Sequence, residues 1–74
     1  MNKGLSTRRA TQIWELADRA GYERVAYYNR AIKAAAIGNR GATFFFQKKA
    51  QQWERIRVLA DRALIRDADA RAAA

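Results

Sequence analysis

Proline is absent from this 74-residue chain, and glycine occurs at only four positions. Because proline and glycine are the residues that most strongly interrupt helices, few points remain at which a helix must stop. Good helix formers, alanine and arginine above all, supply much of the remaining sequence. The sequence therefore predicts an all-α protein whose helices end near Gly4, near Gly21 and in the segment 38–41.

The first of three predicted helices runs from about Thr7 to Ala20. Ser6 precedes it and can act as the N-cap, because a serine hydroxyl accepts a hydrogen bond from a free N–H of the first turn. Gly21 follows it and suits the left-handed stop that often ends a helix. We therefore expect the chain to turn at Gly21.

Two further helices are expected after that turn. The second runs from Tyr22 or Glu23 to about Ala36, and the third begins after a cap at Thr43 and continues to about Asp69. The expected architecture is a three-helix arrangement, with two short helices packed against a long C-terminal helix. Residues 1–74 form one small domain in this interpretation, with a flexible start at 1–5 and a frayed tail at 70–74.

The predicted core combines one face of the second helix with one face of the third. On the third helix, a single stripe at helical spacing holds Phe46, Ala50, Trp53, Ile56, Ala60 and Leu64. On the second helix, the corresponding face holds Val25, Tyr28, Ile32, Ala35 and Ala36. Seventeen of the apolar residues are alanine, so close helix packing is needed to build a core from the 20 larger ones.

A second apolar line on the third helix lies on another side at heptad-related spacing. It consists of Phe44, Val58 and Ile65. One intramolecular partner cannot easily cover both lines, so this line predicts a homodimer interface. The alternative is that these are single exposed apolar residues of the kind found on most protein surfaces.

The absence of cysteine and histidine excludes several classes of chemistry. Disulfide frameworks, cysteine–histidine zinc sites and histidine-based acid–base catalysis all need these residues. We therefore expect a protein that is not an enzyme and that has no cofactor and no metal. No apolar run approaches the roughly 20 residues of a membrane span, and no secretory segment is evident, so the predicted location is cytoplasmic.

Fifteen lysines and arginines against seven acidic residues give the chain a net charge of +8. On the third helix, one side presents a row of cations, namely Lys48, Arg55, Arg62 and Arg66. At 1.5 Å per residue this row is about 27 Å long and could follow several phosphates. Arg8 and Arg9, with Lys3 upstream, are predicted to form a second contact or a mobile arm.

Nearby acids are expected to offset part of this charge, through pairing of Asp61 with Arg57 and of Asp69 with Arg66. The alternative is that the row serves only as a solvated face. Three consecutive aromatics, 44–46, precede two lysines, a composition compatible with base stacking. Since neighbouring helical residues point about 100° apart, most of these rings are expected to fill a core or an interface.

The segment 15–21 resembles the first half of a helix-turn-helix DNA-binding motif. Ala17 and Gly21 match the small residue at the helix crossing and the glycine that opens the turn four residues later. The resemblance implies that the next helix enters the major groove. Its candidate contacts are Glu23, Arg24, Ala26, Tyr27 and Arg30.

These observations predict a small, basic, non-catalytic protein that binds nucleic acid, with DNA favoured, as a regulator or accessory factor. The rival hypothesis is a compact helical inhibitor or adaptor, of a kind that mobile genetic elements could encode, whose basic face docks on an acidic protein surface. A third hypothesis is self-assembly, with the basic face serving only for solubility.

Overall fold

The computed structural model describes residues 4–73, which form two antiparallel helices joined by a tight turn. Helix α1 spans Thr7–Ala36 and helix α2 spans Arg40–Ala73. The hairpin measures 55 × 16 × 13 Å. The all-α prediction is confirmed, and the prediction of three helices is wrong.

Helix α1 passes through Gly21, where the sequence predicted a turn. Among the described residues, positive φ angles occur only at Gly4 and Gly38, so Gly21 does not adopt a left-handed stop. A glycine inside a helix costs only about 1 kcal/mol relative to alanine, and packing against a second helix readily offsets that cost. Such packing is present, because a methyl group added at Gly21 would lie 3.8 Å from Cδ of Arg57 on α2.

The start of α1 is capped as predicted. The hydroxyl oxygen of Ser6 accepts a hydrogen bond of 3.2 Å from the backbone N–H of Arg9. This bond satisfies one of the N–H groups that the first turn leaves without a helical partner.

The turn between the helices consists of three residues, 37–39. Gly38 has φ +75°, and its N–H donates to the carbonyl of Ala35, while the N–H of Asn39 donates to that of Ala34. This pair of bonds is a Schellman motif, which requires a left-handed residue and therefore favours glycine.

Asn39 also begins α2, because its side-chain oxygen accepts from the N–H of Ala42 at 3.0 Å. The predicted cap at Thr43 is therefore wrong. Thr43 lies inside the first turn, where its hydroxyl donates to the Asn39 carbonyl at 2.7 Å. Asparagine is among the strongest N-caps, so α2 can begin here although Gly41 and Thr43, both poor helix formers, follow closely.

The interface between the helices has alanine at its centre. The residues that are buried within the described part of the chain are Ala20, Ala31, Ala34, Ala50 and Ala60. Larger side chains flank them and are half-buried, as with Ile13, Tyr27, Phe46, Trp53 and Leu64. On each helix these residues recur at intervals of three, four or seven residues, the spacing of a coiled-coil seam.

The predicted core face of the second helix is wrong by one position. Val25, Tyr28 and Ile32 are 47, 54 and 57% exposed. The side chains that face α2 belong to neighbouring residues, such as Tyr27 and Ala31. In a three-helix bundle two faces of this segment can be covered, whereas in a hairpin α2 covers only one.

One side of the hairpin, which we call the groove face, carries six of the exposed large apolar residues, namely Trp14, Val25, Tyr28, Ile32, Phe44 and Ile65, whereas Leu16, Phe45 and Leu59 are exposed on the opposite side. Each of the six is one position further along the chain than a position of the seam, and the helices are antiparallel, so both rows turn to one side. Tyr28 shares a groove with Gln47 and Gln51, and Trp14 shares another with Asp61.

At the open end of the hairpin, the chain before α1 contacts α2. The backbone N–H of Leu5 donates to the carboxylate of Asp67, and Arg71 donates to the Leu5 carbonyl. Helix α2 continues to Ala73, past the predicted end near Asp69. Of the predicted flexible start and frayed tail, residues 1–3 and 74 lie outside the described part.

Candidate nucleic-acid interface

Four cations follow the outer edge of α2, and we call this row the cationic edge. It consists of Lys48, Arg55, Arg62 and Arg66, all of them exposed. Helix α2 is continuous across all four positions, so the row keeps a fixed geometry with a length of about 27 Å. The Lys48 ammonium lies 5.1 Å from the Phe44 ring, and none of the four has an acidic partner within 4.0 Å in the region 4–73.

Other arginines of the hairpin are paired with acids. Arg57 contacts the carboxylate of Glu54 and lies 2.9 Å from that of Asp61, as the sequence predicted for Asp61. Arg71 pairs with Asp67 at 3.0 Å. The predicted pairing of Asp69 with Arg66 is not among the ion pairs formed by residues 4–73.

Pairing with arginines in the groove favours the charged form of the Glu54 carboxyl. Hydrogen bonding to Arg57 lowers the pKa of the Glu54 carboxyl below its ordinary value, and the positive charges of Arg57 and Arg24 lower it further, whereas desolvation opposes the shift. The same contacts raise the pKa of Arg57. The groove therefore holds its charges in a locally compensated network, in contrast to the cationic edge.

The structure places Arg24 and Arg30 away from the cationic edge. Arg24 lies in the groove beside Glu54, and Arg30 lies with its guanidinium 5.1 Å from the centre of the Tyr27 ring. Because α1 has no turn at Gly21, the helix-turn-helix interpretation is wrong. The reason for expecting these two arginines to contact bases is therefore lost.

Arg8 and Arg9 are exposed in the first turn of α1 and do not form a separate arm. They lie at the open end of the hairpin, the end towards which the cationic edge runs. Since no acidic residue occurs in the first turn of α1, both cations add to the positive end of the helix dipole. Lys3 lies outside the described residues.

The three consecutive phenylalanines point in different directions, as expected, but most of them do not fill the core of the hairpin, because Phe44 and Phe45 are exposed. Phe46 is half-buried against Tyr27, with ring centres 6.2 Å apart, and Phe45 packs edge-on against it at 5.5 Å. Phe44 is 61% exposed. These rings do not form one flat stacking platform.

The predicted dimer residues lie on the groove face. Phe44 and Ile65 are each 61% exposed, and Val58 is half-buried between them. Sequence reasoning missed that α1 contributes to the same face through Trp14 and Ile32. The signal that could have revealed it is the shared offset of one residue from the seam on both helices.

No helix within residues 4–73 is long and apolar enough to cross a membrane. Comparisons with protein families, with curated proteins and with solved structures found no match for this chain.

Proposed function

We propose that this protein is a non-catalytic helical hairpin that binds nucleic acid, with duplex DNA favoured, as a regulator or accessory factor. The observation that supports this proposal is the cationic edge, a row of four exposed cations on one continuous helix that have no acidic partner among residues 4–73. Cations that neutralise phosphates release condensed counterions, and this release supplies much of the affinity for nucleic acid.

The spacing of the row suits a phosphate backbone. Lys48, Arg55 and Arg62 are separated by seven residues, or about 10.5 Å along the helix, and Arg66 follows after about 6 Å. One seven-residue step is close to three phosphate rises of 3.4 Å along a DNA strand. Three of the four cations are arginines, whose planar guanidinium can bind a phosphate with two hydrogen bonds.

The positions of the acidic residues also favour the cationic edge as the binding surface. Glu54 and Asp61 face the groove and are occupied by arginines there, so they offset little of the charge at the cationic edge. Asp69 is exposed three residues beyond Arg66 and reduces the potential at that end. The field is consequently strongest along 48–62, where we expect the densest phosphate contacts.

The test is a titration with duplex and single-stranded DNA at several salt concentrations. We expect affinity to fall steeply with salt, and the slope of log K against log salt to decrease by about 0.9 for each phosphate contact removed. Arg55→Gln and Arg62→Gln should each show this decrease. Arg71→Gln is the matched control, because it removes the same charge from the same helix at a position paired with Asp67.

Two results would contradict the proposal. Absence of binding at low salt would remove it, and equal effects of Arg71→Gln and Arg62→Gln would show that only net charge matters. A pull-down from nuclease-treated extract addresses the rival hypothesis. A stoichiometric protein partner that binds through Arg55 and Arg62 after nuclease treatment would identify an acidic protein surface as the ligand.

A further inference from the structure

We propose that the groove face binds a second copy of this chain, so that two hairpins stack antiparallel into a four-helix bundle with their turns at opposite ends. This inference does not depend on nucleic-acid binding, because the cationic edge lies outside the groove face. It extends the predicted line of Phe44, Val58 and Ile65 to a surface formed by both helices.

The hairpin alone leaves its large apolar side chains partly or mostly exposed to water. Its buried residues are alanines, and no large side chain among residues 4–73 is fully buried. Chains of this size usually require an additional source of stability, such as a second subunit. On the groove face the exposed fractions are 64% for Trp14, 57% for Ile32 and 61% for Ile65, so this face has much apolar area to bury.

The size of the groove face matches that of a dimer interface. The hairpin is 55 Å long and 13 to 16 Å wide. One such face covers about 700–900 Å², and stable interfaces bury about 800 Å² on each partner. A second hairpin of the same length covers the whole face, whereas a single added helix covers only one side of it.

The two helices are in a register that defines a common midpoint for this face. Gly21 lies beside Arg57, and Arg24 lies beside Glu54, so position 23 on α1 is level with position 55 on α2. A two-fold axis across the hairpin at this level stacks α1 on α1 and α2 on α2 of the second copy, each pair antiparallel.

On α1 this axis brings complementary side chains together. Trp14 and Ile32 are equidistant from position 23, so Trp14 of each copy meets Ile32 of the other. Gly21 and Val25 are also equidistant from it, which places the residue without a side chain opposite a branched one. Alternation of large and small residues is what allows close packing between helices.

On α2 the same axis pairs the apolar ends of the face. Phe44 and Ile65 are equidistant from the midpoint between 54 and 55, and so are Gln51 and Val58. The two helices thus share one centre of symmetry, although their sequences are unrelated.

The charges of the groove face permit this contact. Glu54 and Asp61 are paired with Arg24 and Arg57, so the face is close to neutral although the chain carries +8. Antiparallel stacking also brings the Tyr28 hydroxyl to the level of Asp18 of the second copy. An anionic partner such as nucleic acid finds no excess positive charge on this face, which favours a second copy as its occupant.

The first test is sedimentation equilibrium of the nuclease-treated chain from about 1 to 200 µM, a range that suits interfaces of this size. We expect a dimer. Ile32→Glu should raise its dissociation constant tenfold or more, because a charge replaces a buried apolar side chain. Ile37→Glu is the matched control, since Ile37 is 80% exposed in the turn and lies off the groove face.

A chain that remains monomeric at the highest concentration would overturn the proposal, as would equal effects of the two glutamate substitutions. If Ile32→Glu does not fold, the unmodified chain still provides a test. Its thermal midpoint must rise with protein concentration if association stabilises the fold, and a constant midpoint overturns the proposal.

The antiparallel orientation of the two copies has a separate test by disulfide crosslinking. Because the chain has no cysteine of its own, only the introduced cysteines can form a disulfide. Trp14→Cys and Ile32→Cys are prepared separately and then mixed under mild oxidation. Antiparallel stacking predicts a disulfide-linked heterodimer in the mixture and much slower crosslinking of either variant alone. Crosslinking that is equally fast in the single variants would contradict this arrangement.

Discussion

Arg24 of α1 and Glu54 of α2 form an ion pair across the hairpin, with Nε of the arginine 3.0 Å from Oε2 of the glutamate. The Nε atom is buried, but the geometry is not that of a hydrogen bond. Both side chains remain more than one third exposed, at 38 and 37%, so water screens the attraction. The pair therefore marks the relative height of the two helices and contributes little to the stability of the fold.

A double-mutant cycle should quantify this contact. For Arg24→Gln and Glu54→Gln, measured on the monomeric hairpin at low protein concentration, we expect a coupling free energy of at most about 1 kcal/mol, because the pair is exposed to solvent in the single chain. Chemical denaturation of the four proteins measures it. A coupling of several kcal/mol would mean that the pair is desolvated in solution, for instance beneath a second copy.

Stability should fall in acid. Hydrogen bonds from the Leu5 backbone and from Arg71 lower the pKa of Asp67, and hydrogen bonding to Arg57 lowers that of Glu54. A lowered folded-state pKa means that the unfolded chain binds more protons in acid. The contribution is therefore present above the ordinary carboxyl pKa of about 4 and is lost as the pH falls through the lower folded-state values.

Thermal unfolding between neutral pH and about pH 3 tests this dependence. Asp67→Asn should reduce the loss of stability in acid, because it removes one of the shifted groups. Asp69→Asn serves as the control, since Asp69 is exposed and forms no ion pair among residues 4–73. If the two variants show the same pH profile, the contact between Asp67 and the chain before α1 is absent in solution.

The alanine seam should be sensitive to added volume. Ala20 has no exposed surface, so Ala20→Leu must force the helices apart and should cost about 1–3 kcal/mol. Ala36→Leu makes the same change at an exposed position of α1 and should be nearly neutral. Denaturant unfolding distinguishes them, and a neutral Ala20→Leu would show that the seam is loosely packed.

Alanine should have different effects at the two glycines near the start of α2, Gly38 in the turn and Gly41 in the helix. Gly38 has φ +75°, a conformation that costs other residues about 1–2 kcal/mol, so Gly38→Ala should lower the free energy of unfolding by that amount. Gly41 lies in the first turn of α2, where an added methyl group approaches only Asn39, at 3.9 Å. Gly41→Ala should be neutral or stabilising, and a similar loss for both would exclude the Schellman motif.

Local signals in the sequence predicted only part of this fold. The cap at Ser6 was predictable because capping depends on a few adjacent atoms. The continuation of α1 through Gly21 was not, since a glycine of identical local sequence can end a helix or lie within one. The outcome depends on whether a second helix packs beside it, and that is a tertiary property.

The same limit applies to the candidate site. The arrangement of the cationic edge could be predicted, because helical spacing alone places Arg55 and Arg62 on one side of a helix. The surroundings of Arg24 could not, because its partner is 30 residues away in sequence on the other helix. The exposure of Val25 and Ile32 also required the number of helices to be known.

The three-residue turn also sets an order of assembly. Contacts between consecutive antiparallel helices close ever longer loops with distance from the turn, and loops cost more entropy as they lengthen. Contacts between the helices should therefore form first beside the turn at Asn39 and then progressively further from it. The contact of Leu5 with Asp67, 62 residues apart, should form last. During synthesis that final contact must wait until nearly the whole of α2 has left the ribosome, so the open end is the last part of the chain to be protected from proteases.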